Sequence, residues 1–160
     1  MKDGKKVVYW DSNIFLTVIT KDKRDSELFL GAQETLTQLS KKDCFLVTSQ
    51  ITRIEVLQSK ITENAEKIFD GVLKRSNVTV VDVGRRITDL SREIRDGKYH
   101  SGKVLSTPDS IHLATAIQYE CDELHTNDGD DLLSLNGKIN HPSAPKICRP
   151  PNPDQGNLLL

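Results

Sequence analysis

The chain has 160 residues, enough for one domain with a sizeable core at roughly 100–200 residues per domain. Charged residues make up 28% and nearly cancel to a formal net charge of −1; this excludes a wholly basic nucleic-acid binder but not an acidic pocket with a basic rim. No run of about 18 apolar residues and no charged-then-apolar leader is present, so neither a membrane span nor a secretory signal is expected.

In chain order, K-K-V-V-Y-W reads as a first strand that ends at Asp11, and Ile14–Ile19 begins a helix. After the charged break K-D-K-R-D, the apolar spacing of Leu28, Leu30, Ala32, Leu36 and Leu39 predicts a helix over Glu27–Ser40. C-F-L-V-T is a second strand, Ser49 caps a helix reaching Ser59, and a further helix covers about Ala65–Leu73. V-T-V-V-D-V is a continuous apolar third strand, followed by a helix over Ile87–Ile94 and a loop, D-G-K-Y-H-S-G-K. Thr107 as N-cap and Pro108 at the first position open a helix to Tyr119. E-L-H-T is a short fourth strand, and A-P-K-I-C-R, bounded by Pro145 and Pro150, a last edge strand. Residues 1–149 therefore form one domain, with a disordered tail over 150–160. The expected fold is a three-layer α/β/α sandwich around a mainly parallel sheet. Cys44, Cys121 and Cys148 lie far apart and form no C-x-x-C pair, which fits a reducing cytoplasm.

In such folds ligands bind beyond the carboxyl ends of the strands, where acids gather in this sequence. Asp11 ends the first strand, and Asp128 follows the fourth, with Asp130 and Asp131 behind it. Glu55 is four residues after Ile51 on the inner face of its helix, and Asp109 lies in the first turn of a largely apolar one. Buried carboxylates that share a site repel one another unless a cation sits among them. Oxygen-only ligands select a hard ion, magnesium with manganese able to replace it, and the chemistry served best is phosphodiester hydrolysis.

Four segments carry a resemblance. V-V-Y-W-D-S-N-I-F-L, S-Q-I-T-R-I-E-V-L, T-P-D-S-I-H-L-A-T-A and L-H-T-N-D-G-D-D-L resemble, in this order, the four motifs of PIN-domain nucleases, and the short layout is most like VapC-type toxins of toxin–antitoxin pairs. The resemblance implies an endoribonuclease whose metal is held by Asp11, Glu55, Asp109 and Asp128, with Asp130 or Asp131 as a further acid. It implies Asn13 and Thr126 as accessory residues that orient the acids. It also implies an antitoxin partner and a homodimer, for which the apolar face of the Glu27–Leu39 helix is a candidate.

Each acid has a plainer reading. Asp109 suits a helix dipole, Asp11 or Asn13 a helix cap, Asp128-Gly129 a turn, and Glu55 an ion pair with Arg53. All four together at one sheet end favour the metal site. His112 reads as a hydrogen-bonded core histidine, and Tyr9 and Trp10 as packing. Lys21, Lys23 and Arg24 after the first motif, and Lys98, Tyr99, His100 and Lys103 before the third, are candidates for RNA contact through phosphates and base stacking. Arg85 and Arg86 belong to a surface helix start. An aspartyl phosphatase would need a second Asp at position 13 and a receiver paired acids on the first strand; neither is present. A non-toxin RNA-processing nuclease and an inactive protein-binding scaffold remain as alternatives.

Overall fold

The computed structural model describes residues 1–154. Its elements are β1 (Lys6–Trp10), α1 (Ser12–Ile19), α2 (Ser26–Ser40), β2 (Cys44–Ser49), α3 (Gln50–Leu57), α4 (Glu63–Leu73), β3 (Val78–Val81), α5 (Arg85–Arg95), α6 (Thr107–Gln118), β4 (Glu123–His125) and β5 (Lys146–Cys148), with a single 3-10 turn at Leu133–Leu135. The strands form one sheet in the order β3-β2-β1-β4-β5, and every pairing is parallel. Parallel neighbours need crossover helices, and these cover both faces. Alternation along β1 sends Val7 and Tyr9 into the core beneath α5 and α6, and Val8 and Trp10 into the core beneath α1, α2 and α4. The α/β/α sandwich is therefore present as expected.

Three local expectations change. The helix expected to start with Thr107 as cap is capped instead by Ser106, whose extended backbone lets its Oγ accept the Asp109 N–H at 3.2 Å. The third strand stops at Val81; it is a sheet edge and only partly buried, so its apolar run overstates its depth. The helix after Ser49 ends at Leu57 rather than Ser59. Most of the tail expected over 150–160 lies outside the described residues. Pro150 is buried against α2, where a Cβ on Gly31 would stand 2.1 Å from the Pro150 carbonyl oxygen. Only glycine permits that approach.

Candidate active site

The acids of four segments gather beyond the carboxyl ends of the strands, Asp11 and Asp128 from strand ends and Glu55 and Asp109 from helices. Asp11 directly follows the central strand and N-caps α1, accepting the Ile14 N–H at 3.4 Å. Its other oxygen accepts the Thr126 hydroxyl at 2.5 Å, and Thr126 Oγ1 in turn accepts the Asp128 N–H at 3.1 Å. Thr126 thus ties the first acid to the loop carrying the fourth. Burial pushes the Asp11 carboxyl from 3.8 up to about 6, with the charge of Glu55 adding to the rise, while His112 and the Thr126 and Ile14 bonds pull it down.

Asp109, Asp128 and Asp131 converge more closely, with one carboxylate oxygen from each within 4.8 Å of the others. Asp109 Oδ2 accepts the Ser106 hydroxyl at 2.9 Å, so the cap and the acid hold each other. Its carboxyl is raised by burial and by the charges of Asp128 and Asp131, against the Ser106 bond. After β4, the Asp128 carboxylate accepts the Asp131 N–H at 3.3 Å, and this curls the chain so that Asp131 faces the cluster. Asp130 sits on the exposed outside of that turn and does not join the group.

Glu55 approaches from α3 on the other side. The buried residues of α3 are Thr52 and Val56, while Ile54 is exposed, so the inner-face expectation holds for Glu55 through Thr52 rather than through Ile54. Glu55 does not pair with Arg53. Its Oε1 lies 2.7 Å from His112 Nε2, and His112 Nδ1 lies 2.6 Å from the Tyr9 hydroxyl. A carboxylate only accepts, so Nε2 carries the proton and donates to Glu55; when the ring is neutral, Nδ1 accepts the Tyr9 O–H. Both rings are buried, as expected of a core histidine and a packing tyrosine.

The accessory and basic residues divide. Thr126 touches Asp11, but Asn13 is exposed and its side chain hydrogen-bonds no acid among the described residues. A groove of about 640 Å³ alongside is lined by Asn13, Thr17, Asp22, Arg24, Asp25 and Asn127. Arg24 is paired with Asp22 at 2.6 Å, Lys21 is exposed at the end of α1, and Lys23 lies over the Phe29 ring. Lys103 reaches the acids themselves, with Nζ 2.7 Å from Asp131 Oδ1. Lys98 pairs with Glu93, and Tyr99 donates to the same carboxylate while packing edge-on against His141. Its ring is therefore engaged within the protein rather than presented for stacking. His100 is buried and hydrogen-bonded at Ile94 O and Gly102 N, which removes it from a phosphate-contacting surface.

A second cluster, Glu123, His125 and Cys148, also brings three ligand atoms within 4.8 Å. Its protons argue against a metal. Trp10 Nε1–H donates to His125 Nδ1 at 3.1 Å, which leaves Nε2 protonated and donating to Glu123 at 2.8 Å. Lys6 Nζ neutralises that carboxylate at 2.7 Å, so the group is a closed ion-paired network beneath the site.

Sequence reading overlooked Ser106, although the S-x-x-D spacing before an apolar helix was a usable signal. The contacts of His112 with Glu55 and Tyr9 had none, because they cross three elements distant in sequence. Comparison with known proteins agrees with this fold. The family model for the PIN domain matches residues 8–137. Similar solved structures include VapBC2 from Rickettsia felis bound to a promoter DNA fragment, at 20% identity and a TM-score of 0.62 over 88% of this chain and 96% of that one. A toxin–antitoxin complex from Klebsiella pneumoniae shares 24% identity with a TM-score of 0.58, over 81% and 93%. VapC20 of Mycobacterium tuberculosis, described as a Sarcin-Ricin loop cleaving toxin, shares 16% with a TM-score of 0.60, over 84% and 98%. No curated protein sequence matches significantly.

Proposed function

The chain belongs to the PIN domain family, and from that premise we propose that it is a divalent-metal-dependent endoribonuclease, acting as the toxin of a toxin–antitoxin pair in the cytoplasm. The observation that carries the reading is the convergence of Asp109, Asp128 and Asp131 within 4.8 Å, beside a buried Asp11. Three carboxylates that close, two of the four acids with raised pKa values, make a net-negative pocket that a cation relieves. The donors are all oxygen, so the set fits magnesium or manganese.

Asp11, Glu55, Asp109 and Asp128 would hold the ion, with Asp131 as the further acid. When bound, it acidifies the attacking water and offsets the charge that builds on the phosphoryl and leaving oxygens. The chain supplies the rest. Thr126 holds Asp11 and the Asp128 backbone in one register, and Ser106 holds Asp109. Arg24, which lines the neighbouring groove, and the exposed Lys21 and Lys23 close to it in sequence offer charge to RNA phosphates, and Lys103 offers another once a metal ion relieves Asp131 of it. Likeness to toxin–antitoxin complexes supports an antitoxin partner, and a homodimer accompanies that reading.

The test is incubation of the protein and its Asp109→Asn variant with total cellular RNA in magnesium, manganese or chelator. Discrete fragments are expected only with wild type and metal. The loss in the variant should be at least about 100-fold, beyond the range for removing a mere outer partner of a ligand. Intact RNA in every lane, together with no manganese binding by calorimetry, would overturn the reading.

A further inference from the structure

Glu55 is the one acid of the site gripped by a buried ring. Among the described residues only its Oε1 is engaged, at 2.7 Å from His112 Nε2, and Oε2 has no partner. His112 itself cannot swing. Its ring is 1% exposed, it packs edge-on to Tyr9 with centroids 5.7 Å apart, and its Nδ1 takes the Tyr9 O–H. Tyr9 is fully buried in the central strand, two residues before Asp11. The chain of contacts therefore runs from the middle of the sheet, through α6, to the carboxylate on α3.

We propose that His112, held by Tyr9, is a positioning residue that pins Glu55 by one oxygen and leaves the other directed to the metal. This rests on the nuclease reading above. A glutamate on a short, half-exposed helix has three side-chain torsions to order, and a free one would spend much of its time in solvent. The donated Nε2–H selects one rotamer and is compatible with a bound ion, since a carboxylate oxygen that accepts a hydrogen bond leaves its twin available. Outer partners of this kind contribute about 10–100-fold to metal affinity or activity where they have been removed. His112 acts through Glu55 and takes no proton from the reaction.

Two amides of different length separate this role from simple core filling. In His112→Gln the side-chain N–H reaches the place of Nε2 and still donates to Glu55. In His112→Asn the shorter amide reaches only the place of Nδ1 and satisfies Tyr9 alone. Manganese affinity is measured by calorimetry on both variants and wild type, with thermal unfolding in parallel. The expected result is an affinity near wild type for Gln and about 10-fold or more weaker for Asn, in the outer-partner range. Equal affinities for the two folded amides, or a stronger Asn variant, would overturn the positioning role while leaving the nuclease reading standing. Absence of manganese binding by wild type would overturn both. Should either variant fail to fold, imidazole nitrogen and proton NMR of wild type decides. The Nε2–H resonance of His112 should persist on saturation with magnesium, and its loss would refute the proposal.

Discussion

Asp11→Asn is expected to stabilise the metal-free protein, and to do so more as pH rises. Burial lifts the Asp11 carboxyl from 3.8 to about 6, a shift equivalent to about 3 kcal/mol. The folded state holds this proton more tightly than the unfolded state. The corresponding stability is fully present below pH 3.8 and is lost as pH rises through 6. About 1.4 kcal/mol of it survives at pH 5 and essentially none at pH 8. Asn caps a helix as well as Asp and keeps an oxygen for the Ile14 N–H, so the cap itself should change little. The assay is urea denaturation in chelator from pH 5 to pH 8, read as the difference between wild type and variant. Taking the difference matters because buried His125, whose pKa is lowered by desolvation, makes the fold gain stability with rising pH in both proteins. A difference that stays constant across the range, or wild type gaining on the variant as pH rises, would refute the reasoning.

Two further outcomes follow from contacts already described. Gly31→Ala places a Cβ 2.1 Å from the Pro150 carbonyl oxygen and 2.8 Å from its carbon, so backbone must shift; a loss of about 1–3 kcal/mol is expected by thermal denaturation. A variant as stable as wild type would mean that the segment at Pro150 gives way freely. Lys103→Ala removes an ammonium 2.7 Å from Asp131 and should tighten manganese binding while weakening RNA binding. Calorimetry and filter binding read the two effects, and a fall in metal affinity would contradict the competition between Lys103 and the ion.

The fold was largely legible because its determinants are local. Short apolar strands alternate with helix-length segments, and the cap at Ser49 marks a start that sequence alone locates. What escaped was set by tertiary placement. V-T-V-V looks like a central strand, but its position at the sheet edge leaves it half-exposed. For the site, strand ends, helix positions and the four PIN-like motifs marked the four acids, but the D-G-D-D-L spacing left open which further acid joins them. The choice between Asp130 and Asp131 depends on one backbone N–H bonding back to Asp128, and Tyr99 and His100 look like a recognition loop until their partners at Glu93 and Ile94 are known. Charge tells that a residue is polar; only the packed chain tells what it is already holding.

Tyr9 and Trp10 give β1 an uncommon property. Facing opposite layers, each is hydrogen-bonded to a buried histidine, His112 above and His125 below, and Asp11 is the very next residue. Displacing Asp11 therefore disturbs both halves of the protein at once and approaches the cost of global unfolding. The Asp128–Asp131 turn, anchored by a few hydrogen bonds and half-exposed, has no such backing. The pocket has a fixed wall and a yielding one. A partner that deforms the pocket, rather than plugging it, has mechanical purchase on the yielding side.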